Sequence, residues 1–196
     1  LIINRLKHFG YNKIIITVNH LADVIKAYFG DGKKWGVNIE YSYEEKPLST
    51  MGPIKMLKNL PEDFLVMNGD VLTDIDFKLF FDQHKINNKI FTIAAQKRNE
   101  KIDYGVLEKD TGNNLIGFTE KPTYSFLVSM GIYYLKRETL EFIPENEFFG
   151  FDHLMAKLIN SNKLPFVYEY DGYWLDIGRP ADYEEAIRYY TNKNNL

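Results

Sequence analysis

The chain has 196 residues, 45% of them hydrophobic, with 14 Tyr and 14 Phe, enough apolar material for one domain with a core of ordinary size. A formal net charge of -3 with no basic block excludes an electrostatic footprint for nucleic acid and offers no attraction to anionic lipid, so small molecules are the expected ligands. The lack of Cys excludes disulfides and cysteine-based zinc sites, the four His (His8, His20, His84, His153) share no ligand spacing, and no apolar run reaches the length of a membrane span. No signal peptide opens the sequence, and cytoplasm is the expected compartment. The first residue is Leu rather than Met, which predicts a segment upstream.

Strand-like and helix-like segments alternate along the chain, favouring an α/β domain. Leu1–Phe9 places Ile2, Ile3, Leu6 and Phe9 on one face and stops at Gly10, which predicts a helix with a C-terminal glycine. The β-branched run Lys13–Val18 predicts a strand buried on both faces of a parallel sheet. Leu21–Phe29 reads as a second helix, Val37–Tyr43 as a second strand, and Ile54–Leu60 as a short helix. Asp63–Met67 is a strand running into Asn68-Gly69-Asp70, followed by helix Phe77–Lys85 and strand Ile90–Gln96. From there Tyr104–Glu108, a Thr111-Gly112 turn, Leu115–Thr119 and Leu127–Leu135 predict a hairpin-rich insertion able to form a flap over a site. Helices return at Arg137–Phe142 and Phe151–Asn160, then strand Phe166–Tyr170 and a last helix opened by Pro180. The Asn-rich end, T-N-K-N-N-L, is expected to fray. Nothing repeats, and no linker divides the chain.

Three distant segments carry the chemistry: Asn68-Gly69-Asp70, Glu120-Lys121-Pro122 and Trp174-Leu175-Asp176-Ile177-Gly178. Each lies near the exit of a predicted strand, where ligands sit in open α/β sheets. Asp70 and Asp176 are two hard oxygen ligands, sufficient in number for Mg²⁺ when substrate phosphates complete its shell. Lys121 is suited to supply a point charge to a phosphate, Glu120 to accept hydrogen bonds from ligand hydroxyls, and Gly105 to leave room for a ring against backbone. Each segment also has a plainer reading: turn chemistry for Asn-Gly-Asp, a solvated strand end for Glu-Lys-Pro, and a capping residue for Asp176 beside a core Trp174. Two decoys stand nearby. Gly30-Asp31-Gly32…Gly36 follows a helix rather than a strand and fails the context of a dinucleotide loop. Thr73-Asp74-Ile75-Asp76 holds an Asp-x-Asp pair suggestive of a glycosyltransferase metal site, read here as a helix start with Asp76 as N-cap.

Over nearly its whole length the chain resembles the sugar-1-phosphate nucleotidyltransferases, which make nucleotide sugars from a nucleoside triphosphate and a sugar phosphate. The resemblance rests on V-N-H-L-A-D-V-I-K-A-Y-F-G-D-G, Y-S-Y-E-E-K-P-L-S-T-M-G-P, V-M-N-G-D-V-L-T-D, Y-G-V-L-E, I-G-F-T-E-K-P, M-G-I-Y-Y-L and G-Y-W-L-D-I-G-R-P-A-D-Y, in the family's order. It implies an α/β, Rossmann-like three-layer fold with a mostly parallel sheet, one domain over 1–196 and a β-rich flap at about 97–135. By the same resemblance Asp70 and Asp176 hold Mg²⁺ and Lys121 the sugar phosphate, making these three the catalytic set. Gly105, Glu120, Lys121 and Ser129 then face the sugar, and Leu48, Ser49, Thr50, Gly52 and Gly69 the nucleotide. Ser49 stands where the family usually has Gly, and Met51 where it has a small residue, adding bulk beside the base.

Family members open with a strand and a loop of the form G-G-x-G-T-R, then a Pro-Lys pair; none of these is present here. That loop cradles triphosphate with backbone N–H groups. The difference amounts to roughly one βα unit, on the order of 30 residues. The expectation is therefore an N-terminally truncated fragment, inactive or very weak alone, lacking the central strand and leaving a slot between unpaired edges. Such a slot favours homo-oligomers, and a sheet continuous within this chain would refute the expectation. Two other classes stay open: a non-catalytic nucleotide-sugar-binding module, and a metal-dependent glycosyltransferase using Asp74 and Asp76.

Overall fold

The computed structural model describes residues 1–178 and 180–194. Helix α1 (Ile2–His8) buries Ile3 and Leu6, which share one face, and the chain leaves it through Gly10 at φ +88°, a conformation glycine adopts without strain. Strand β1 (Lys13–Val18) follows, then α2 (Ala22–Phe29) and β2 (Asn38–Tyr43). β1 and β2 pair in parallel from Lys13↔Asn38 to Val18↔Tyr43, with α2 as the crossover. Further on come β3 (Asp63–Met67), the short β4 (Val71–Thr73), α3 (Phe77–Asn87) and β5 (Phe91–Lys101). A hairpin of β6 (Val106–Lys109) and β7 (Leu115–Thr119) leads into β8 (Thr123–Lys136), α4 (Phe151–Asn160), β9 (Phe166–Glu169), β10 (Trp174–Asp176) and α5 (Pro180–Asn194).

The central sheet runs β3-β8-β5-β9 and is mixed: β8 is antiparallel to both neighbours, and β5 and β9 are parallel. The antiparallel β8 enters because the hairpin insertion reverses the chain. Helices cover both faces. On one, Leu154 and Leu158 of α4 pack with Phe64, Phe91, Tyr133, Leu135, Met51 and Ile54. On the other, Phe77 and Phe80 of α3 and Leu6 of α1 pack with Ala94, Met130, Ile132 and Tyr134. Fully buried side chains such as Phe80 and Leu154 each stabilise the fold by roughly 1.5–3 kcal/mol.

β1 belongs to the same layer. Ile15 packs into the α4-side cluster together with Val66 of β3, while Ile14 joins the opposite cluster together with Leu65 and Met67. Among the described residues, however, no ladder joins β1 to β3, and the β1–β2 pair stands apart from the four-stranded sheet. For this reason β1 is only partly covered, with Lys13 and Thr17 exposed, rather than buried on both faces as its β-branched run suggests.

Two predicted helices are tight 3₁₀ segments. The one at Gly52–Met56 starts with Pro53 and ends at Leu57, whose backbone is extended; Pro61 bars Leu60 from helical geometry, so the expected helix over Ile54–Leu60 does not form. The other covers Arg137–Phe142, just ahead of Pro144. β5 and β8 run well past the predicted ends as a paired ribbon, Arg98↔Phe126 to Lys101↔Thr123, which carries the β6–β7 hairpin away from the core. α5 continues to Asn194 where fraying was expected; residues 195–196 of that end, and Arg179 ahead of the helix, lie outside the described residues. No helix among the described residues is long and apolar enough to cross a membrane.

Candidate active site

Asp70 and Asp176 lie at neighbouring backbone positions of the small β4–β10 sheet. Asp176 is the register partner of Val71, and the Ile177 amide donates to the Asp70 carbonyl oxygen at 2.9 Å. Both aspartates are exposed, at the ends of short strands anchored in the core by Leu72 and Leu175. A bulge in β8, where the register against β5 slips between Ile93 and Ala95, holds both segments. The Trp174 indole donates to the Met130 carbonyl oxygen at 2.9 Å, and the Asn68 amide to the Gly131 carbonyl oxygen at 2.9 Å. Gly131 sits at φ +72°, and a Cβ there would lie 2.7 Å from Asn68 Nδ2. Gly69, by contrast, has open space around it.

The sugar-side candidates lie on the β5–β8 ribbon and its hairpin. Gly105 and Glu120 are adjacent: a Cβ on Gly105 would lie 3.0 Å from Glu120 Oε2 and 2.6 Å from the Phe118 ring. Lys121 is exposed and at φ +44°, a left-handed conformation uncommon for a side chain of its size. Ser129, on the core end of β8, shares a 3.1 Å hydrogen bond with the Tyr133 hydroxyl and accepts one from the Gly131 amide at 3.3 Å.

Residues 48–52 divide in two. Leu48, Met51 and Gly52 are buried, and the amides of Met51 and Gly52 both donate to the Phe149 carbonyl oxygen, at 3.0 and 2.8 Å. Met51 is fully buried and packs in the α4-side cluster. A Cβ on Gly52 would collide with the Glu147 carbonyl oxygen at 2.8 Å, a packing demand sufficient to require glycine. Ser49 and Thr50 remain outermost. Ser49 holds φ +65°, and Thr50 Oγ1 accepts from the Phe151 amide at 3.1 Å, tying this loop to the start of α4. Glu44, which the sequence did not single out, accepts from the Leu48 amide at 3.0 Å.

The Asp-x-Asp pair is occupied by structural work. Asp76 N-caps α3 by accepting from the Leu79 amide at 2.9 Å, as its position before Phe77 suggested. Asp74 accepts from the Tyr170 hydroxyl and from the Tyr173 amide at 2.8 Å, pinning the approach to β10. Burial, then the hydrogen bond and charge of Asp74, push the Tyr170 hydroxyl pKa well up, so it stays a donor. The only hint of this clamp was a cluster of tyrosines near the end of the sequence.

The carboxylate pair fits a hard divalent cation in ligand type, since Mg²⁺ prefers carboxylate oxygen. Among the described residues no cluster of three or more potential protein ligands exists, so such an ion would depend on phosphate oxygens for the rest of its shell.

A family model described as Nucleotidyl transferase matches residues 1–193, and the chain belongs to that family. Among its relatives, UTP–glucose-1-phosphate uridylyltransferase of Synechocystis sp. is 30% identical, the match covering 93% of this chain and 52% of that protein. Mannose-1-phosphate guanyltransferase 2 of Candida glabrata is 34% identical over 92% of this chain and 52% of its own length. The chain thus spans about half the length of the curated relatives it matches. In fold it is similar to HddC from Yersinia pseudotuberculosis, with a TM-score of 0.73 at 24% identity over 95% of this chain and 82% of that one. The fold is that of the nucleotide-sugar transferases.

Proposed function

We propose that the whole protein transfers a nucleoside monophosphate from a nucleoside triphosphate to a sugar-1-phosphate. A sugar-phosphate oxygen attacks the α-phosphorus, the bond to the β-phosphate bridging oxygen breaks, and pyrophosphate leaves. The observation that carries this reading is the pairing of β4 with β10, which brings the backbone of Asp70 against Ile177, the neighbour of Asp176, in a family whose curated relatives are named for this reaction. Asp70 and Asp176 would hold Mg²⁺; when bound, the ion supplies positive charge to the phosphates of both substrates. Lys121 offsets charge on the sugar phosphate so that two anions can approach. Glu120 accepts from sugar hydroxyls, Gly105 lets Glu120 and the Phe118 ring pack against its backbone on the sugar side, and Ser129 borders the same side. Ser49 and Thr50, with Gly69, face the nucleotide, while Leu48 and Gly52 hold the loop's shape from beneath. GTP with mannose-1-phosphate, and UTP or dTTP with glucose-1-phosphate, are the substrate pairs to test first.

The same proposal assigns a role to the edges of β1 and β3. A strand from outside residues 1–196, carrying a phosphate-cradling loop, completes the sheet between them, and residues 1–196 alone are inactive or very weak. An isolated sample leaves those edges free to pair with a second copy. The setting proposed is the cytoplasm. The engagement of Asp74 in the Tyr170 clamp and of Asp76 in the α3 cap weighs against the glycosyltransferase reading.

Pyrophosphate release by the full-length gene product, with Mg²⁺ and the substrate pairs above, tests the reading. Turnover that is abolished in Asp176→Ala supports it, whereas a folded protein that binds nucleotide sugar without turnover points to a binding module.

A further inference from the structure

β5 alternates its side chains, and its outer half divides cleanly. Lys97 points one way, into an ion pair with Glu169 at 3.3 Å. Gln96 and Arg98 point the other way, toward the segment leading into β10: Gln96 Nε2 donates to the Gly172 carbonyl oxygen at 2.7 Å, and the Arg98 guanidinium lies 4.6 Å from the centroid of the Trp174 ring. Trp174 and Asp176 are two residues apart in β10 and so share a face. Arg98 is thus stacked over the face from which Asp176 projects. Arg98 is exposed, and no hydrogen bond or ion pair engages it among the described residues. An exposed guanidinium resting over an aromatic ring keeps its donors available as a fork for phosphate oxygens.

We propose that Arg98 is a further substrate-binding residue that takes the phosphate of the sugar-1-phosphate, an inference that rests on the function proposed above. The sugar side is favoured over the nucleotide side by topology. Arg98 pairs with Phe126 on the ribbon that carries Gly105, Glu120 and Lys121, whereas Ser49 and Thr50 are tied to the start of α4. Lys121 brings one compact positive charge to a dianion; Arg98 adds a second, with two parallel donors. The contact with Trp174 restrains the Arg98 side chain, so less side-chain freedom is lost on binding.

The test compares wild-type full-length protein with Arg98→Ala and Arg98→Lys by steady-state kinetics. Calorimetry measures binding of the sugar-1-phosphate and of the same sugar without phosphate. The expected result is a rise of about ten-fold or more in KM and Kd for the sugar-1-phosphate in Arg98→Ala. The KM for the nucleoside triphosphate and the affinity for the unphosphorylated sugar stay unchanged, and Arg98→Lys recovers part of the loss. An unchanged sugar-1-phosphate KM overturns the proposal. So does an equal rise in both KM values with a lowered melting temperature, which marks Arg98 as a mere buttress of Trp174. Absence of turnover and of sugar-phosphate binding in the wild type would instead sink the underlying functional reading.

Discussion

Met130 and Gly131, adjacent in β8, present their carbonyl oxygens to different segments: Met130 accepts from the Trp174 indole, Gly131 from the Asn68 amide. One bulge therefore sets the spacing between Asp70, two residues past Asn68, and Asp176, two residues past Trp174. Gly131 is required twice over, by its φ of +72° and by the contact with Asn68 that any Cβ would make. Gly131→Ala is expected to lower kcat of the full-length protein by at least about ten-fold, because small misplacements of reacting groups are costly. It also destabilises the fold by roughly 1–3 kcal/mol. Steady-state kinetics and urea denaturation check both; wild-type kcat in a folded variant would dissociate the bulge from the site.

Asp70→Asn and Asp176→Asn each remove an exposed carboxylate for which no side-chain hydrogen bond or ion pair is formed among the described residues. The expected outcome is a loss in kcat of about 10²-fold or more, with a melting temperature within a few degrees of wild type. Removing Mg²⁺ with a chelator is expected to abolish turnover of the full-length protein, and re-addition to restore it; turnover that survives chelation would contradict the proposed role of the two aspartates.

Asp74 and Asp76 separate the structural reading of the Asp-x-Asp pair from a catalytic one. Asp74→Ala strands the Tyr170 hydroxyl and the Tyr173 amide, costing roughly 2–4 kcal/mol. Asp76→Ala removes an N-cap and costs about 1 kcal/mol. Chemical denaturation measures both, and neither variant should lose metal dependence of turnover.

Acid sensitivity follows from the buried link between α3, β3 and β5. His84 Nδ1 lies 2.7 Å from Thr92 Oγ1 and Nε2 lies 3.1 Å from Asp63 Oδ1, while Lys85 pairs with Asp63 at 2.6 Å. Burial holds the His84 imidazole below its ordinary pKa, with Lys136 and Lys85 adding to the effect against the pull of Asp63. Burial alone would raise Asp63, but Lys85 and His84 outweigh it and keep its carboxyl below the usual range. Both groups bind protons less readily folded than unfolded, so stability rises with pH. The contribution is complete above the unfolded histidine value of about 6.5 and is lost on acidification, through His84 first and through Asp63 below about pH 4. Denaturation midpoints of the full-length protein between pH 8 and 4 should fall on acidification, with the upper part of that fall flattened in His84→Gln. A midpoint that rises toward acid would contradict the sign.

Local pattern carried much of the fold. The periodicity of Ile3 and Leu6, the β-branched run at 13–18 and the glycines at 10 and 30 delimit α1, β1 and α2 closely, because each element is specified by its own residues. The three-residue strands β4 and β10 are too short for any period, and their pairing joins residues a hundred positions apart. The antiparallel insertion of β8 into the sheet is a tertiary fact without a local signature. In the candidate site, the residue types of Asp70, Lys121 and Asp176 were legible, while the Met130–Gly131 anchor and the stacking of Arg98 on Trp174 were not. They depend on a register slip and on which side of β5 meets β10.

The most direct measurement of the central claim is pyrophosphate release by the full-length gene product with Mg²⁺. It is run across four nucleoside triphosphates and several sugar-1-phosphates, beside residues 1–196 alone. Turnover of at least one pair by the long form, lost in Asp176→Ala and absent or very weak in residues 1–196, is the predicted result. A folded long form that releases no pyrophosphate from any pair would contradict the account.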